Sequence, residues 1–274
     1  MVAPELLVFV ASIAAGGFGA VVGVGGGLVL VPLLSVGLGV PLHNAIAASL
    51  LGVICVSTTA SASFLRSGLA DRRLGLTLLG ATALGGLMGG YVAGFLDARV
   101  LSAVFGVVLV GVAIQMLRSH GAAVAEVIDE PGRLEFDGSY VEPTTGEQLV
   151  YRARNVAPAT LVSVFAGALS GLLGIGGGVV NVPTMNVLMG IPIRVATTTS
   201  TYMLAATAAA SAVLYFSRGD VDPALAAPVV VGVFIGARGG AWLAHRVPHR
   251  GLTLLFVAVA AFFAVQMFLR AAGS

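Results

Sequence analysis

The sequence predicts an all-α polytopic membrane protein made of two homologous repeats, and two observations support this fold class. The first is composition, because the 274 residues are 58% hydrophobic and 9% charged, with a mean hydropathy of +1.02. A soluble domain of this length cannot bury so much apolar surface, so a bilayer must solvate most of the chain. The second is an internal duplication, in which residues 16–116 and 167–267 align without a gap and share 26 of 101 positions.

The duplication is clearest at a glycine cluster that occurs once in each half. The first copy is Gly-Val-Gly-Gly-Gly at 23–27, followed by Pro32, and the second is Gly-Ile-Gly-Gly-Gly at 174–178, followed by Pro183. Glycine raises backbone freedom and proline removes a hydrogen-bond donor, so both interrupt helices. Paired interruptions in the two halves of an apolar chain are typical of a transporter's binding site.

Each repeat contains five apolar segments. In the first repeat, residues 1–118, they lie at about 4–24, 26–40, 42–65, 74–96 and 99–118. In the second repeat, residues 156–274, they lie at about 156–175, 177–191, 193–217, 223–245 and 251–270. Four segments of each repeat reach the ~20 residues that span hydrocarbon. The second segment, at ~1.5 Å per residue, reaches only ~22 Å. It is predicted to be a half-length or re-entrant piece, or to span the membrane where the bilayer is locally thinner.

Arginine placement predicts that the two repeats have inverted topology. The loop between segments three and four is basic in the first repeat, with Arg66, Arg72 and Arg73. In the second repeat the basic loop lies between segments four and five, with Arg246 and Arg250. If basic loops face the cytoplasm, the repeats run in opposite directions and each crosses the membrane an odd number of times. We therefore favour five plus five crossings of the inner cell membrane over four plus four.

A polar linker, residues 119–155, separates the repeats and holds seven of the twelve acidic residues. Runs of strand-forming residues at 134–138 and 149–151 flank turn residues, which is typical of a short β-hairpin. We expect this linker to be a cytoplasmic connector or docking element and not a catalytic domain.

Several functional classes are excluded. The net charge of +2 is too small to indicate nucleic-acid binding. Acidic residues outside the linker stand at segment ends, and the sequence has no cluster of metal ligands and no protease-like arrangement of side chains. We predict neither catalysis, nor a metal, nor another cofactor. The single cysteine, Cys55, is interpreted as a small buried hydrophobic residue and not as a reactive thiol.

The predicted binding site combines backbone N–H groups at the glycine breaks with nearby basic, hydroxyl and amide side chains. A half-helix that starts after a break presents free N–H groups and partial positive charge, which attract anions. Close helix packing through small residues is the alternative for these glycines, and it is the favoured reading for Gly85/Gly89 and Gly236/Gly240. The candidate substrate-binding residues are Gly25, Gly26, Gly27, His43, Ser49, Gly176, Gly177, Gly178, Asn181, Arg194, Thr198, Thr199, Ser200 and Arg238.

The basic side chains among these candidates each have two possible interpretations. His43 and Arg194 are repeat equivalents at the start of the third segments, where they form either a basic pair near the repeat interface or interfacial anchors. Arg238 lies inside an apolar segment, where an arginine costs roughly 2.5–3.5 kcal/mol, and either faces the substrate or snorkels to the interface. Five consecutive hydroxyls, at 197–201, can bond their own helix, but one or two should face the site.

At these motifs the chain resembles the TauE/SafE family of sulfite and organosulfonate exporters. The resemblance lies in the two glycine clusters with Pro32 and Pro183, in the Ala-Thr-Thr-Thr-Ser stretch at 196–200, and in the duplicated layout. The first repeat departs from it, with Ala-Ile-Ala-Ala-Ser at 45–49, so the hydroxyls are expected on one side only. The resemblance implies transmembrane movement of a small anion such as sulfite, a sulfonate or another organic acid.

The function expected from the sequence is therefore export of a small anion by alternating access between inverted repeats. A passive anion channel on the same scaffold, and a membrane anchor or partner subunit that docks through the acidic linker, are the alternatives. The expected partners are the anion and the lipid bilayer, without nucleic acid, and a homo-oligomer stays open.

Overall fold

The structure is a computed structural model that describes residues 2–22, 26–66, 71–118, 137–141, 148–244 and 249–273. The first repeat contains α1 (Val2–Val22), α2 (Gly27–Pro32), α3 (Leu42–Arg66), α4 (Arg72–Ala93) and α5 (Ala98–Arg118). The strands β1 (Asp137–Val141) and β2 (Gln148–Arg152) follow. The second repeat contains α6 (Val156–Leu173), α7 (Gly178–Pro183), α8 (Ile193–Ser217), α9 (Pro223–Ala244) and α10 (His249–Gly273).

The duplication in sequence is also a duplication in structure. Four helices of the first repeat, α2 to α5, each begin 151 residues before the corresponding helix of the second repeat. The short helices α2 and α7 both end at a proline and continue as one π-helical turn, at Leu33–Gly37 and Thr184–Leu188. Proline cannot donate the usual helical hydrogen bond, which explains a wider turn directly after it. The chain then turns at Gly39 and Gly190, where φ is +68° and +73°.

The two repeats are interlaced, since α1 packs along α9 and α4 packs along α6. Glycines allow both close approaches. Along the first pair, Gly232 lies against Phe9, Gly236 against Ile13 and Gly240 against Gly17, so these helices run parallel. These contacts involve backbone atoms, which only a residue without Cβ permits at this distance.

Further contacts fix the directions of α3, α4 and α8. Gly75 of α4 lies against Thr199 of α8, and Gly90 lies against Leu214, so α4 and α8 are parallel. In contrast, α3 and α8 are antiparallel. Asn44 at the start of α3 donates to the carbonyl of Asp220 just beyond α8, whereas Ser61 near the end of α3 donates to the carbonyl of Thr201. The equivalent helices α3 and α8 therefore run in opposite directions.

The apolar helices agree with the predicted class of polytopic all-α membrane protein. Within the described residues, five helices combine the length and apolar composition needed to cross a bilayer: α3, α4, α5, α6 and α9. Shorter apolar stretches occur at Glu5–Gly19, Gly27–Gly37 and Val257–Gly273. Within the part of the chain that the structure describes, fewer helices meet both conditions than the sequence predicted. In α8, which has 25 residues, the run of hydroxyls interrupts the apolar sequence.

The hairpin of the linker is fastened to the helical body by one buried tyrosine. β1 and β2 pair antiparallel, with Gly138 opposite Tyr151. The hydroxyl of Tyr151 donates to Asp71 Oδ2 at 2.8 Å, while Asp71 Oδ1 accepts the N–H of Leu74 and caps α4. The Tyr151 ring is buried in a small apolar cluster that includes Leu74, Ala159, Met189 and Ile191. The remaining residues of the linker between 119 and 147 lie outside the described residues.

A matched pair of glycines in α9 tests the parallel packing on α1. We expect Gly236→Ala to lower the free energy of unfolding by about 1–3 kcal/mol, since its Cβ would overlap the carbonyl of Ile13. Gly239→Ala is the control, because no atom lies within 4 Å of that Cβ position. There alanine should leave stability unchanged or raise it by up to about 1 kcal/mol. Thermal unfolding in detergent measures both. Equal melting temperatures for the two variants would contradict this packing.

Candidate functional site

The two glycine breaks meet between α3 and α8. Gly27, at the start of α2, lies against the backbone of Gly174 and Ile175 in the second break. A Cβ on Gly27 would stand 2.8 Å from Ser49 Oγ and 3.0 Å from Ile175 Cα. Only glycine fits here without displacing the second break.

The other side of the same junction is formed by equivalent residues of the long helices. A Cβ on Gly176 would lie 3.6 Å from Val53 of α3 and 3.2 Å from Leu204 of α8. Val53 and Leu204 are 151 residues apart and hold the same position in their repeats. Each long helix therefore contributes its corresponding segment to the junction, which lies where the two repeats meet.

The second break needs glycine for its backbone conformation as well as for space. Gly174 and Gly176 have φ of +67° and +74°, in the left-handed region that L side chains rarely adopt. Gly174 donates its N–H to the carbonyl of Ser170 at 2.8 Å and so ends α6. The chain leaves the helix for the four residues 174–177 and restarts as α7.

The start of α7 presents backbone donors to this junction. Its first hydrogen bonds run from the N–H groups of Val180 and Asn181 to the carbonyl of Gly177. No side chain of the described residues caps Gly177. The preceding N–H groups are those that every helix start leaves without an intrahelical acceptor.

Two buried polar side chains beside this helix start have unused hydrogen-bonding capacity. Ser200 is 1% exposed, and its Oγ lies 3.3 Å from the Cβ position of Gly178. Asn181 is 2% exposed, and its Nδ2 lies 3.3 Å from the Cβ position of Gly177. Within the described residues, neither Ser200 Oγ nor Asn181 Oδ1 has a hydrogen-bond partner. A buried polar atom without a partner costs about 1–3 kcal/mol, so it marks a place where a ligand can compensate.

Ser49 has a different role from its repeat equivalent Ser200. Its Oγ donates to the carbonyl of Gly174 at 2.8 Å in a fully buried contact. The carbonyl would otherwise be left unpaired where α6 has ended. Ser49 is therefore committed to holding the second break in place, although the sequence grouped it with the substrate donors.

The other hydroxyls that follow Arg194 are already engaged. Thr198 donates to the carbonyls of Arg194 and Val195, and Thr197 and Thr201 bond back within α8 in the same manner. Thr199 Oγ1 instead accepts the N–H of Asp71 at 2.9 Å, beside the docked hairpin. Among the five hydroxyls, the described structure leaves only that of Ser200 without a bond at the break.

The structure does not bring the three predicted bases together. His43 and Arg194 begin α3 and α8, and because these helices are antiparallel the two residues lie at opposite ends of the pair. His43 bonds through Nε2 to the carbonyl of Ala93 at 3.1 Å, which ties the start of α3 to the end of α4. Arg194 is exposed at the start of α8. Arg238 is exposed on α9, with its guanidinium 4.8 Å above the ring of Phe234.

Of the remaining candidate glycines, Gly26 and Gly178 have close neighbours in the structure, and Gly25 is not described. Gly26 is buried and caps α2, and a Cβ there would stand 3.5 Å from the carbonyl of Ala15. Gly178 lies at the start of α7 beside Ser200. Gly25 lies outside the described residues, as does Arg246 of the predicted basic loop.

Sequence reasoning missed the link between the linker and the site. Asp71 contacts Tyr151 through its carboxylate and Thr199 through its backbone, so one residue joins hairpin, α4 and α8. An aspartate directly before the first residue of a helix is the usual signal for an N-cap. No sequence signal indicated that Tyr151, 80 residues away, would donate a hydrogen bond to the second carboxylate oxygen of Asp71.

These features define a polytopic α-helical membrane protein with two broken helices meeting at a buried polar junction. A family model described as "Sulfite exporter TauE/SafE" matches residues 8–267. The chain belongs to this family and is a membrane transporter.

Two curated relatives from Bacillus subtilis (strain 168) support the class. "Probable membrane transporter protein YunE" is 24% identical over 257 residues, which cover 91% of this chain and 92% of the relative. "Probable membrane transporter protein YdhB" is 24% identical over 228 residues, covering 83% of this chain and 85% of the relative. No solved structure matches the chain.

Replacing each equivalent serine separates a structural hydroxyl from an unused one. We expect Ser49→Ala to lower the free energy of unfolding by about 1–3 kcal/mol, because it leaves the buried carbonyl of Gly174 unpaired. Ser200→Ala should be neutral or slightly stabilising, since it removes a hydroxyl that has no described partner. Thermal unfolding in detergent checks both variants. A larger loss of stability in the Ser200 variant would contradict this assignment.

Proposed function

We propose that this transporter exports a small anion, such as sulfite, a sulfonate or another organic acid, through the junction of the two glycine breaks. The observation that carries the proposal is the pair of buried polar groups, Ser200 Oγ and Asn181 Oδ1, that lack described partners beside the start of α7. Sulfite is the first substrate to test because the matched family description names it.

The chemistry of the junction suits an oxyanion. The start of α7 supplies N–H groups and partial positive charge, and Ser200 supplies a hydroxyl donor. Rotation of the Asn181 amide by 180° about its last side-chain torsion would present its NH₂ group in place of the oxygen. These neutral donors would replace the hydration shell of the anion without a fixed countercharge.

The polar side chains are concentrated in the second repeat. The equivalents of Asn181, Thr198 and Thr199 in the first repeat are Leu30, Ala47 and Ala48. We infer that the second repeat binds the charged group, while the first repeat supplies an apolar wall that moves relative to it. The glycines at the junction would allow such movement, because few side chains interlock there.

The opposite directions of α3 and α8 support alternating access between inverted repeats. In such carriers one repeat rocks against the other around a site near the bilayer midplane. The proposed orientation in the inner cell membrane places linker 119–155 on the cytoplasmic side. The burial of Tyr151 against the chain's own helices favours a connector role for the linker over docking of a partner subunit.

Uptake into proteoliposomes tests the proposal. Labelled sulfite is offered with lactate, sulfate or a simple sulfonate as competitor, for wild type, Ser200→Ala and Asn181→Leu. The last change copies Leu30 from the first repeat and keeps the position apolar and buried. We expect saturable uptake competed by one anion class, and a loss of at least about tenfold in each variant, since a hydrogen bond to a charged group contributes about 1.5–3 kcal/mol.

One control variant locates the site. Arg194→Ala should leave uptake near the wild-type value, because Arg194 is exposed in the first turn of α8 and is not among the residues that lie against the glycines of the breaks. Loss of uptake in the Arg194 variant alone would move the site to the helix end. Uptake that does not saturate and ignores an opposing gradient would favour the passive channel. Absence of flux for all four anions would refute the anion proposal.

A further inference from the structure

The described chain contains a filled aromatic site and an empty counterpart at the equivalent place in the other repeat. The filled site is the one occupied by Tyr151, which is buried in one apolar cluster with Leu74, Ala159, Met189 and Ile191 and whose hydroxyl donates to Asp71. It lies at the end of the molecule where α6 and α8 begin.

The counterpart is a cavity of about 280 Å³ beside the starts of α1 and α9. Five of its lining residues stand 151 positions from the residues around Tyr151. The pairs are Val8 with Ala159, Leu38 with Met189, Val40 with Ile191, Leu225 with Leu74, and Asp222 with Asp71. The apolar walls and the carboxylate are thus duplicated, but no described residue takes the place of the tyrosine.

The carboxylates stand at corresponding helix starts in the two sites, although they accept from different N–H groups. Asp222 Oδ1 accepts the N–H of Ala224, two residues on, at 2.9 Å at the start of α9, whereas Asp71 Oδ1 accepts the N–H of Leu74, three residues on, at 3.0 Å at the start of α4. In the filled site the second oxygen of Asp71 accepts from the tyrosine hydroxyl. The second oxygen of Asp222 is the corresponding acceptor for a group that enters the cavity.

The electrostatic character of the cavity differs from that of the filled site. Glu5 lines the cavity where the other repeat has Val156, and Ala224 stands where the other repeat has Arg73. Among the described residues, no arginine or histidine lines the cavity, and neither Glu5 nor Asp222 forms an ion pair with another of them. Two carboxylates above apolar walls favour a ligand that carries positive charge on an apolar body.

We propose that this cavity binds a small organic ammonium ion with a ring about the size of a tyrosine side chain. The ring would occupy the space between Val8, Val40 and Leu225, and the ammonium group would donate to Asp222 and Glu5. The cavity lies at the start of α9, two residues beyond Asp220, which contacts the first turn of α3. The filled site lies at the other end of α3, so ligand binding here is separate from the linker and from the glycine junction.

The test is calorimetric titration of the full chain in lipid nanodiscs with three probes of one shape. 2-Phenylethylamine is the cation, 2-phenylethanol the neutral analogue and 3-phenylpropionate the anion. We expect the amine to bind at least about tenfold more tightly than the alcohol, with affinity falling as salt rises, and the anion not to bind. Equal binding of amine and alcohol, or no binding of any probe, would overturn the proposal.

Variants place the binding in the cavity and exclude partition into lipid. Glu5 caps no helix in the described structure. Glu5→Gln should weaken amine binding, and Asp222→Asn should also weaken it. Val40→Phe should block the cavity by filling it with a ring. Asp97→Asn removes an exposed carboxylate outside the cavity and should bind as wild type does. Amine affinity that is the same in Glu5→Gln, Val40→Phe and Asp97→Asn would show that the ligand binds elsewhere.

Discussion

The structure depends on the contact between Gly27 of the first break and Gly174–Ile175 of the second. Backbone approaches backbone here with no side chain between, and Ser49 fixes the contact by bonding the carbonyl of Gly174. In a bilayer every backbone group needs an internal partner, so two broken helices are tolerated only where protein surrounds them. The crossing of α3 and α8 provides that enclosure, and the parallel glycine-lined pairs hold α3 and α8 in position.

Duplication provides the scaffold, and divergence between the copies provides the chemistry. Ser49 and Ser200 are identical residues in equivalent positions, but the first completes a structural bond and the second has no described partner. Asn181 lies beside Gly177 of the second break, where the first repeat has Leu30. At the opposite ends of α3 the copies differ again, since one aromatic site is filled by Tyr151 and its counterpart is an open acidic cavity. These asymmetries leave the starts of α2 to α5 in register with those of α7 to α10.

The helices could be predicted from the sequence because composition and the glycine–proline breaks act locally. The constant offset of 151 residues then showed the same pattern in both copies. The helix starts at Gly27 and Gly178 follow directly from the glycine clusters. The binding site was harder to predict, because it depends on which hydroxyl groups already form hydrogen bonds with other parts of the chain. Ser49, Thr198 and Thr199 look equivalent to Ser200 in sequence, but their hydrogen bonds are decided by tertiary contacts. The placement of His43 and Arg194 depends on helix direction, which puts them at opposite ends of α3 and α8.

The proposed function requires that the transported anion reaches the junction at Ser200. Its most direct test is thiol labelling of Ser200→Cys in a Cys55→Ala background, in membranes with and without the anion that competes in uptake. Ser163→Cys on α6 is the control, since Ser163 is equally buried but is not among the residues at the breaks. We expect slow labelling at position 200 that the anion suppresses, and no effect of the anion at position 163. Labelling at 200 that is unchanged by the anion would contradict the proposed function.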